Sequence, residues 1–471
     1  MSAGFIGRER ELQLLGDAHR SEEAAFIPIY GRRRVGKSEL IVRFMKAAGG
    51  LYFLGKQAPA GLQLAEFLRE AALALHEPLL ADVAVSGWKQ ALEMVLDRAP
   101  RDRKLVLALD EFQWSAYASP ELPSVIQELW DRRIRQQRNV LLVLCGSYVG
   151  FMEREVLGRQ SPLFGRRTAQ IHLKPFGFRE AALFHPHYSS THRAEAYFIC
   201  GGVPLYLRSF TPTNSVETNV VEQILDPYGP LNREPDFLLR EELREVETYH
   251  AVLEALASGR SLHADVARHV GIDGRRLNYY LSQLIELGYV GKRYPLTESR
   301  PTARQVRYEV TDPLLRFWFR FVFPNLGYLQ QMGPRKTYRN IILPELPAYF
   351  GTSFERLCRE ALPALYEREG VEAAFEIGEY WSKDVQIDVV GLREDGWTDL
   401  GECKWGPVKS LPRLQAELEA KVPKFPNARN ATVGRRLFVR ALGRSVAPAG
   451  SGPRLHTLDD LYSVDPVSPT A

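Results

Sequence analysis

The chain has 471 residues, of which 45% are hydrophobic and 25% are charged, and its formal net charge is +4. These values are ordinary for a soluble globular protein, and the length suffices for about three domains. The four cysteines form no C-x-x-C pair, no apolar run approaches a membrane span, and the first residues lack the apolar core of a signal peptide. We therefore expect a protein of the reducing cytoplasm, without a disulfide framework, a zinc site or a membrane segment.

The first apolar run, residues 26–30, leads into a glycine-rich loop and then into a helical pattern. The loop matches G-x-x-x-x-G-K-[ST] in the strand–loop–helix context that this motif requires. Its glycines let backbone N–H groups face phosphates, Lys37 can reach the β- and γ-phosphates, and Ser38 can ligate Mg²⁺. The predicted ATP site consists of Gly31, Arg32, Arg33, Arg34, Val35, Gly36, Lys37 and Ser38.

Two further apolar strands end in polar residues. Asp110 and Glu111 follow the first of them, which fits a Walker-B pair. Asp110 then holds Mg²⁺ through water, and Glu111 orients the attacking water. Ser147 follows the second strand, where an ordinary serine turn is the alternative to a nucleotide contact. Strands that alternate with helices predict a doubly wound, parallel α/β sheet with its ligand at the carboxyl ends of the strands.

Basic residues and a Gly-Gly-x-Pro break come next. Arg166 or Arg167 can act as an arginine finger or sensor, or both can belong to a solvated basic loop. Residues 200–207, which include Pro204, are typical of a tight corner in a helical lid.

Five segments carry a family resemblance: FIGRERELQLL, GRRRVGKSEL, LDEFQW, LLVLCGSYVGFMEREVLGRQSPLFGRRTAQIHLKPF and CGGVPLYL. Together they resemble the prokaryotic "archaeal ATPase" group of AAA+/STAND-like P-loop ATPases. The resemblance implies that residues 1–240 bind and hydrolyse ATP with Mg²⁺. It also implies that Arg8 lies near the adenine, that Ser147 senses the γ-phosphate and that Pro204 marks the lid.

Residues 241–312 change in pattern to amphipathic helices followed by two β-rich segments around a polar tip. A glycine-containing turn between two short helices predicts a winged helix-turn-helix. If this segment binds DNA, the residues that face it are Arg275, Arg276, Asn278, Lys292, Arg293, Arg300 and Arg304. The alternative is a packing module between domains. Residues 313–345 form a connector whose aromatic stripe indicates core packing.

Residues 346–463 are predicted to follow the order helix, strand, strand with Asp388, hairpin, strand with Glu402 and Lys404, helix, strand. This order resembles the PD-(D/E)XK nuclease fold. The resemblance implies that Asp388, Glu402 and the carbonyl of Cys403 bind Mg²⁺, that Lys404 positions water, and that Glu355 completes the acidic cluster. The alternatives are a surface ion pair or an inactive nuclease-like fold. Residues 464–471 are predicted to be a flexible tail.

Three functions stay open. The first is an ATPase that acts on DNA through ATP-gated, Mg²⁺-dependent phosphodiester cleavage. The second is a nucleotide-dependent switch that binds DNA or protein without cutting. The third is ATP-driven remodelling of a protein partner with a purely structural winged helix. Each hypothesis is compatible with an oligomer, and none involves a membrane.

Overall fold

Six buried residues, Ala25–Tyr30, form the strand that leads into the glycine-rich loop. The computed structural model describes residues 5–297, 302, 305–443 and 452–463. Arg300, Arg304 and the predicted tail therefore lie outside the described residues. The chain divides into two compact units, Met1–Pro175 and Phe176–Ala471. The finer domain limits expected from the sequence remain predictions.

The first unit contains a parallel sheet in the order β2-β3-β4-β1-β5. Its strands are β1 (Ala25–Tyr30), β2 (Leu51–Leu54), β3 (Leu105–Asp110), β4 (Val140–Gly146) and β5 (Ile171–His172). Its helices are α1 (Glu9–Arg20), α2 (Lys37–Ala48), α3 (Ala60–Leu75), α4 (Trp88–Asp97), α5 (Phe112–Ala118), α6 (Leu122–Leu129), α7 (Arg135–Gln137) and α8 (Val149–Phe151).

Helices cover both faces of this sheet, so its strands are apolar throughout. In β3, Leu107 and Leu109 face one core, whereas Val106 and Ala108 face the other. This alternation with near-complete burial is typical of a parallel sheet between two helical layers. The predicted α/β fold class is therefore confirmed. Because β4 lies between β1 and β3, the carboxyl ends of all three strands meet at one edge.

The second unit begins with helices that the sequence assigned to a lid: α9 (Phe178–Ala182), α10 (Ser190–Cys200), α11 (Pro204–Ser209), α12 (Val216–Asn219) and α13 (Glu234–Glu242). The order expected for a winged helix follows: α14 (Val246–Ala257), α15 (His263–Val270), α16 (Gly274–Glu286), β6 (Val290–Arg293) and β7 (Arg307–Val310). The two strands pair antiparallel. Next come α17 (Pro313–Phe317), α18 (Leu326–Met332), α19 (Pro334–Thr337) and α20 (Leu343–Arg368). The aromatic stripe around α17 is buried, as core packing requires.

A mixed sheet in the order β12-β11-β10-β9-β8 ends the described chain. Its strands are β8 (Phe375–Trp381), β9 (Gln386–Arg393), β10 (Trp397–Lys404), β11 (Thr432–Val439) and β12 (Arg454–Thr457). Its remaining helices are α21 (Leu411–Lys421) and α22 (Leu458–Ser463). Strands β8, β9 and β10 are antiparallel, whereas β10, β11 and β12 are parallel. Tyr366 of α20 packs on Gly391 at one face, and Leu414 of α21 packs with Leu400 at the other.

The register between β8 and β9 shifts in the middle of the pair. Gly378 pairs with Val390, but Tyr380 pairs with Ile387. Asp388 and the next residue of β9 therefore lie together opposite one residue of β8. Such a bulge redirects side chains and is frequent next to functional sites.

The segment after β6 packs on the edge of this mixed sheet. Leu296 donates its N–H to the carbonyl of Glu379 in β8 at 2.6 Å, and its side chain belongs to the core beneath the sheet. A side chain at Gly378 would meet the Cβ of Leu296 at 2.9 Å, so this close approach requires glycine. The segment after β6 and the mixed sheet thus share part of one core.

Across the described ranges, no helix combines the length and the apolar character needed to cross a bilayer.

Candidate functional site

The glycine-rich loop closes on the end of β5. At Gly31, φ is +154°, and a Cβ there would lie 2.2 Å from the carbonyl oxygen of Leu173. Gly36 has φ +91° and precedes the first turn of α2. Lys37 is 5% exposed and donates from Nζ to the carbonyl of Arg32 at 2.9 Å. Burial lowers the pKa of Lys37. The loop therefore holds a poorly solvated cation at a helix amino terminus, which suits a phosphate.

The carboxylates that follow β3 are both fixed by hydrogen bonds. Asp110 is 1% exposed and accepts the N–H of Glu111 on Oδ1 at 2.8 Å. Ser147 donates to Oε1 of Glu111 at 2.6 Å, and Gln113 donates to Oε2. Glu111 has φ +49°, an uncommon conformation for a residue with a side chain. The backbone of Glu111 is therefore strained, and its carboxylate accepts two hydrogen bonds. It lies at the strand end where the sequence predicts catalysis.

Tyr52 of β2 is a residue of this site that sequence reasoning missed. Its hydroxyl donates to Oδ2 of Asp110 at 2.7 Å. Burial, followed by the neighbouring Asp110, raises the pKa of Tyr52. The run LYFL after two glycines is a strand pattern that would have placed Tyr52 beside the Asp110 strand.

Two of the three arginines that the sequence singles out in the first unit have defined partners. Arg8 donates to the carbonyl of Lys174 at 2.6 Å. Arg166 forms a bidentate pair with Asp131, with distances of 2.9 and 2.7 Å. Arg167 is exposed. Arg166 is therefore paired within its own unit. Arg167 is the more accessible of the two candidates for an arginine finger.

The second cluster lies at the bulge of β9. Asp388 and Glu402 are buried on neighbouring strands, and Asp388 Oδ2 accepts the N–H of Cys403 at 3.0 Å. Glu402 Oε2 accepts from Lys421 Nζ at 2.5 Å. Lys404, two residues further along β10, is exposed. Burial raises the pKa of both carboxyl groups, and Asp388 adds to the shift at Glu402.

Glu355 approaches this cluster from the other side of the sheet. Glu402 shares the face of Leu400, which α21 covers, whereas Glu355 belongs to α20 on the opposite face. Burial and then Asp388 raise the pKa of Glu355 to about 8. Among the described residues, no three His, Cys, Asp or Glu side chains are arranged to share a metal ion. This differs from the expectation that Glu355 completes one cluster with Asp388 and Glu402.

Two family models match separate parts of the chain. Residues 5–210 match the model described as "ATPase domain predominantly from Archaea". This part of the chain is similar to the ATPase domain that the model describes. Residues 318–414 of the ATPase match a second model, described as "Archaea bacterial proteins of unknown function". That range contains Glu355, Asp388, Glu402 and Lys404.

An uncharacterized protein of Methanocaldococcus jannaschii is 29% identical to the ATPase over 411 residues, covering 86% of this chain and 88% of the relative. The Walker-type ATPase of Pyrococcus abyssi has a TM-score of 0.50 at 18% identity, covering 67% of this chain and 96% of that protein. This likeness shows a shared fold. The ORC2 protein of Aeropyrum pernix has a TM-score of 0.44 at 13% identity, covering 69% of this chain and 94% of that protein.

The predicted recognition helix of the ATPase, α16, has a solvent-exposed polar face. Arg275, Arg276 and Asn278 are all exposed, and Asn278 contacts His263 at 2.9 Å. Asp273 caps the helix by accepting the N–H groups of both arginines. Lys292 on β6 is exposed as well. These four side chains stay available for an anionic partner.

Arg293 does not lie where the sequence predicts. The sequence places it along an exposed wing, but its guanidinium donates from Nε to Glu379 Oε1 at 2.6 Å and from Nη2 to Glu379 Oε2. It also lies 3.3 Å from Glu309. Because the buried Glu379 and the half-buried Glu309 hold this arginine, it packs within the unit rather than along an exposed wing.

Pro204 begins helix α11 in the second unit of the ATPase. The preceding glycines make the corner that the sequence predicts, since a Cβ on Gly202 would lie 1.8 Å from the carbonyl oxygen of Phe176. Its role as a lid residue remains a prediction.

Proposed function

We propose that this ATPase binds ATP and Mg²⁺ at the glycine-rich loop and acts on DNA, and that its carboxy-terminal sheet cleaves phosphodiester bonds with Mg²⁺. In this proposal nucleotide state gates the access of DNA to that sheet. ATP hydrolysis belongs to the first unit, and DNA contact and cleavage belong to the second.

The roles in ATP hydrolysis follow from the arrangement of donors and acceptors. Lys37 and the N–H groups at the start of α2 bind the phosphates. Glu111 orients the attacking water and accepts its proton. Ser147 contacts the γ-phosphate and is hydrogen-bonded to Glu111, so the presence of that phosphate affects the position of the Glu111 carboxylate. The Ser38 hydroxyl and the Asp110 carboxylate are hard oxygen donors, which suits Mg²⁺. A Mg²⁺ ion held by these oxygens would neutralise the charge that develops on the phosphates.

The observation that carries the cleavage proposal is the adjacency of Asp388 and Glu402. Two buried carboxylates on neighbouring strands repel each other, and a divalent cation would relieve that repulsion. The carbonyl of Cys403 adds a third oxygen from the same strand end, so the donor set again suits Mg²⁺. A Mg²⁺ ion held by these oxygens would activate a water and neutralise charge on the scissile phosphate. Lys404 orients that water from the adjacent exposed position.

The ion pair between Lys421 and Glu402 favours the second candidate, a switch that binds without cutting. The ammonium group of Lys421 already pairs with Glu402, one of the two carboxylates. A cation that binds there must displace this ammonium group or share the carboxylate with it. The second candidate therefore predicts that Mg²⁺ or Mn²⁺ does not bind at this cluster.

DNA contact is proposed for the exposed polar face of the winged segment. The side chains that support it are Arg275, Arg276, Asn278 and Lys292. Arginine and lysine bind backbone phosphates, so the affinity must fall steeply with salt concentration. A protein-remodelling ATPase with a structural winged helix would lack this dependence.

The cleavage proposal is tested with plasmid and single-stranded DNA in the presence of Mg²⁺ or Mn²⁺, with ATP, a non-hydrolysable analogue or no nucleotide. We expect metal-dependent cleavage that changes with the nucleotide. Asp388→Asn and Lys404→Met should each reduce it by roughly 100-fold, the scale on which such catalytic groups act. Isothermal titration with Mn²⁺ reports metal binding independently of cleavage.

Lys409→Met is the matched control, because Lys409 is an exposed lysine shortly after β10. It should cleave like the wild type. Cleavage that persists unchanged in Asp388→Asn contradicts the proposal. Absence of both cleavage and metal binding in the wild type supports the non-cleaving switch instead.

A further inference from the structure

The hydroxyl of Tyr52 lies beside both residues that the ATP site offers to a cation. It donates to Asp110 Oδ2 at 2.7 Å, and Ser38 is within hydrogen-bonding contact of the same hydroxyl. The N–H of Glu111 occupies the other oxygen, Oδ1, at 2.8 Å. The thiol of Cys145 is a third donor to this carboxylate, which still leaves part of its acceptor capacity open.

The backbone of β2 fixes where this hydroxyl can be. Tyr52 pairs with Ala108 of β3, and Leu54 pairs with Asp110. The tyrosine therefore lies opposite the residue two positions before Asp110. Its ring packs against the core that contains Val106 and Ala108. A phenol anchored by its ring has few orientations, so the hydroxyl stays aimed at Asp110.

We propose that Tyr52 is a positioning residue for ATP hydrolysis. Its hydroxyl keeps the Asp110 carboxylate turned so that the free acceptor positions face the water ligands of Mg²⁺. Partners of this kind orient the groups that hold a metal, and their removal usually weakens metal binding or activity by 10–100-fold. The proposal rests on the Mg²⁺ role assigned to Asp110 above.

Tyr52→Phe removes one oxygen and keeps the ring. We expect the affinity for a fluorescent ADP analogue in EDTA to stay unchanged, because Lys37 and the loop are intact. The Mg²⁺ concentration that gives the half-maximal change in that affinity should rise about tenfold. At limiting Mg²⁺ the turnover number should fall by a similar factor with little change in KM for ATP, and excess Mg²⁺ should restore it.

A purely structural role gives a different result. If the hydroxyl only maintains the shape of the loop through its contact with Ser38, Tyr52→Phe would weaken nucleotide binding in EDTA as much as with Mg²⁺, and excess Mg²⁺ would not restore turnover. That outcome overturns the proposal, as does an unchanged Mg²⁺ midpoint. Tyr228→Phe is the control, because Tyr228 is 96% exposed and its hydroxyl should be dispensable.

Asp110→Asn separates this inference from the proposal beneath it. If Asp110→Asn leaves the Mg²⁺ midpoint unchanged, the metal role of Asp110 fails. If Asp110→Asn shifts the midpoint and Tyr52→Phe does not, only the role of Tyr52 fails. Should Tyr52→Phe not fold, a ring-fluorinated tyrosine at position 52 keeps the shape and makes the hydroxyl a stronger donor. The Mg²⁺ midpoint must then move, and an unchanged midpoint overturns the inference.

Discussion

Glu111→Gln is expected to reduce ATP turnover by roughly 10²–10⁴-fold, the usual contribution of a general base. Glutamine keeps the size of the side chain, so the left-handed backbone at this position is no more strained than before. Ser147 can still donate to the amide oxygen, but the amide cannot accept a proton from water. ATP binding should persist, because Lys37 and the loop are unchanged. Single-turnover hydrolysis and equilibrium binding of labelled ATP measure the two effects separately.

Glu121→Gln is a suitable control, because Glu121 is exposed and lies ten residues further along the same unit. It should hydrolyse ATP at the wild-type rate. A Glu111→Gln protein that retains turnover within about twofold of the wild type would show that another group activates the water. Loss of ATP binding together with turnover would assign Glu111 to the binding of nucleotide instead.

Arg436→Met is expected to destabilise the mixed sheet by roughly 3 kcal/mol, the lower end of the usual cost of removing one partner of a buried ion pair. The side chain of Arg436 is fully buried and donates to Glu369 with two distances of 2.6 Å. Its Nε lies 3.0 Å from Asp399, which also accepts from Tyr366 at 2.8 Å. Methionine fills a similar volume but removes the buried cation, so that Glu369 keeps only the exposed Arg454 and Asp399 keeps only Arg393 at 3.6 Å.

Hydrogen exchange is the appropriate measurement, because it reports the opening free energy of β10 and β11 without requiring the two units to unfold together. Arg435→Met is the matched control. The neighbouring Arg435 pairs with Glu419 at 2.6 Å, but both side chains are more than one-third exposed. An exposed pair contributes about 0–1 kcal/mol, so its loss should hardly change protection. Equal protection in the two variants would contradict the structural role of Arg436.

Local motifs made the ATP site predictable. Gly31, Gly36 and Lys37 lie within one short loop, so their spacing alone determines how the backbone can surround a phosphate. The Asp-Gly hairpin did the same for Asp388 and Glu402. Gly396 takes φ +83° in that turn, and the pairing it starts brings the two carboxylates to neighbouring strands.

Contacts between distant segments were not predictable in the same way. Arg293 and Glu379 are 86 residues apart, and nothing in the wing sequence indicates that its arginine enters an ion pair with a buried carboxylate. The bulge at Asp388 likewise depends on pairing with β8 rather than on the sequence of β9 alone. That pairing places Asp388 and the next residue of β9 together opposite one residue of β8.

The pairing of Leu296 with Glu379 has a consequence for how the protein can be divided. Strand β8 is the edge of the mixed sheet, and open edges pair with other chains. A fragment of residues 346–463 would expose that edge and lose Leu296 from its core. We expect it to associate with increasing concentration in light scattering, whereas a fragment of residues 176–463, which keeps the second unit together, should remain monodisperse. Equal behaviour of the two fragments would contradict this expectation.

Recombination between genes would meet the same constraint. If the mixed sheet were transferred to another protein without the segment after β6, its core would lack Leu296 and the edge of β8 would be unpaired. We therefore expect the segment after β6 and the mixed sheet to be inherited together.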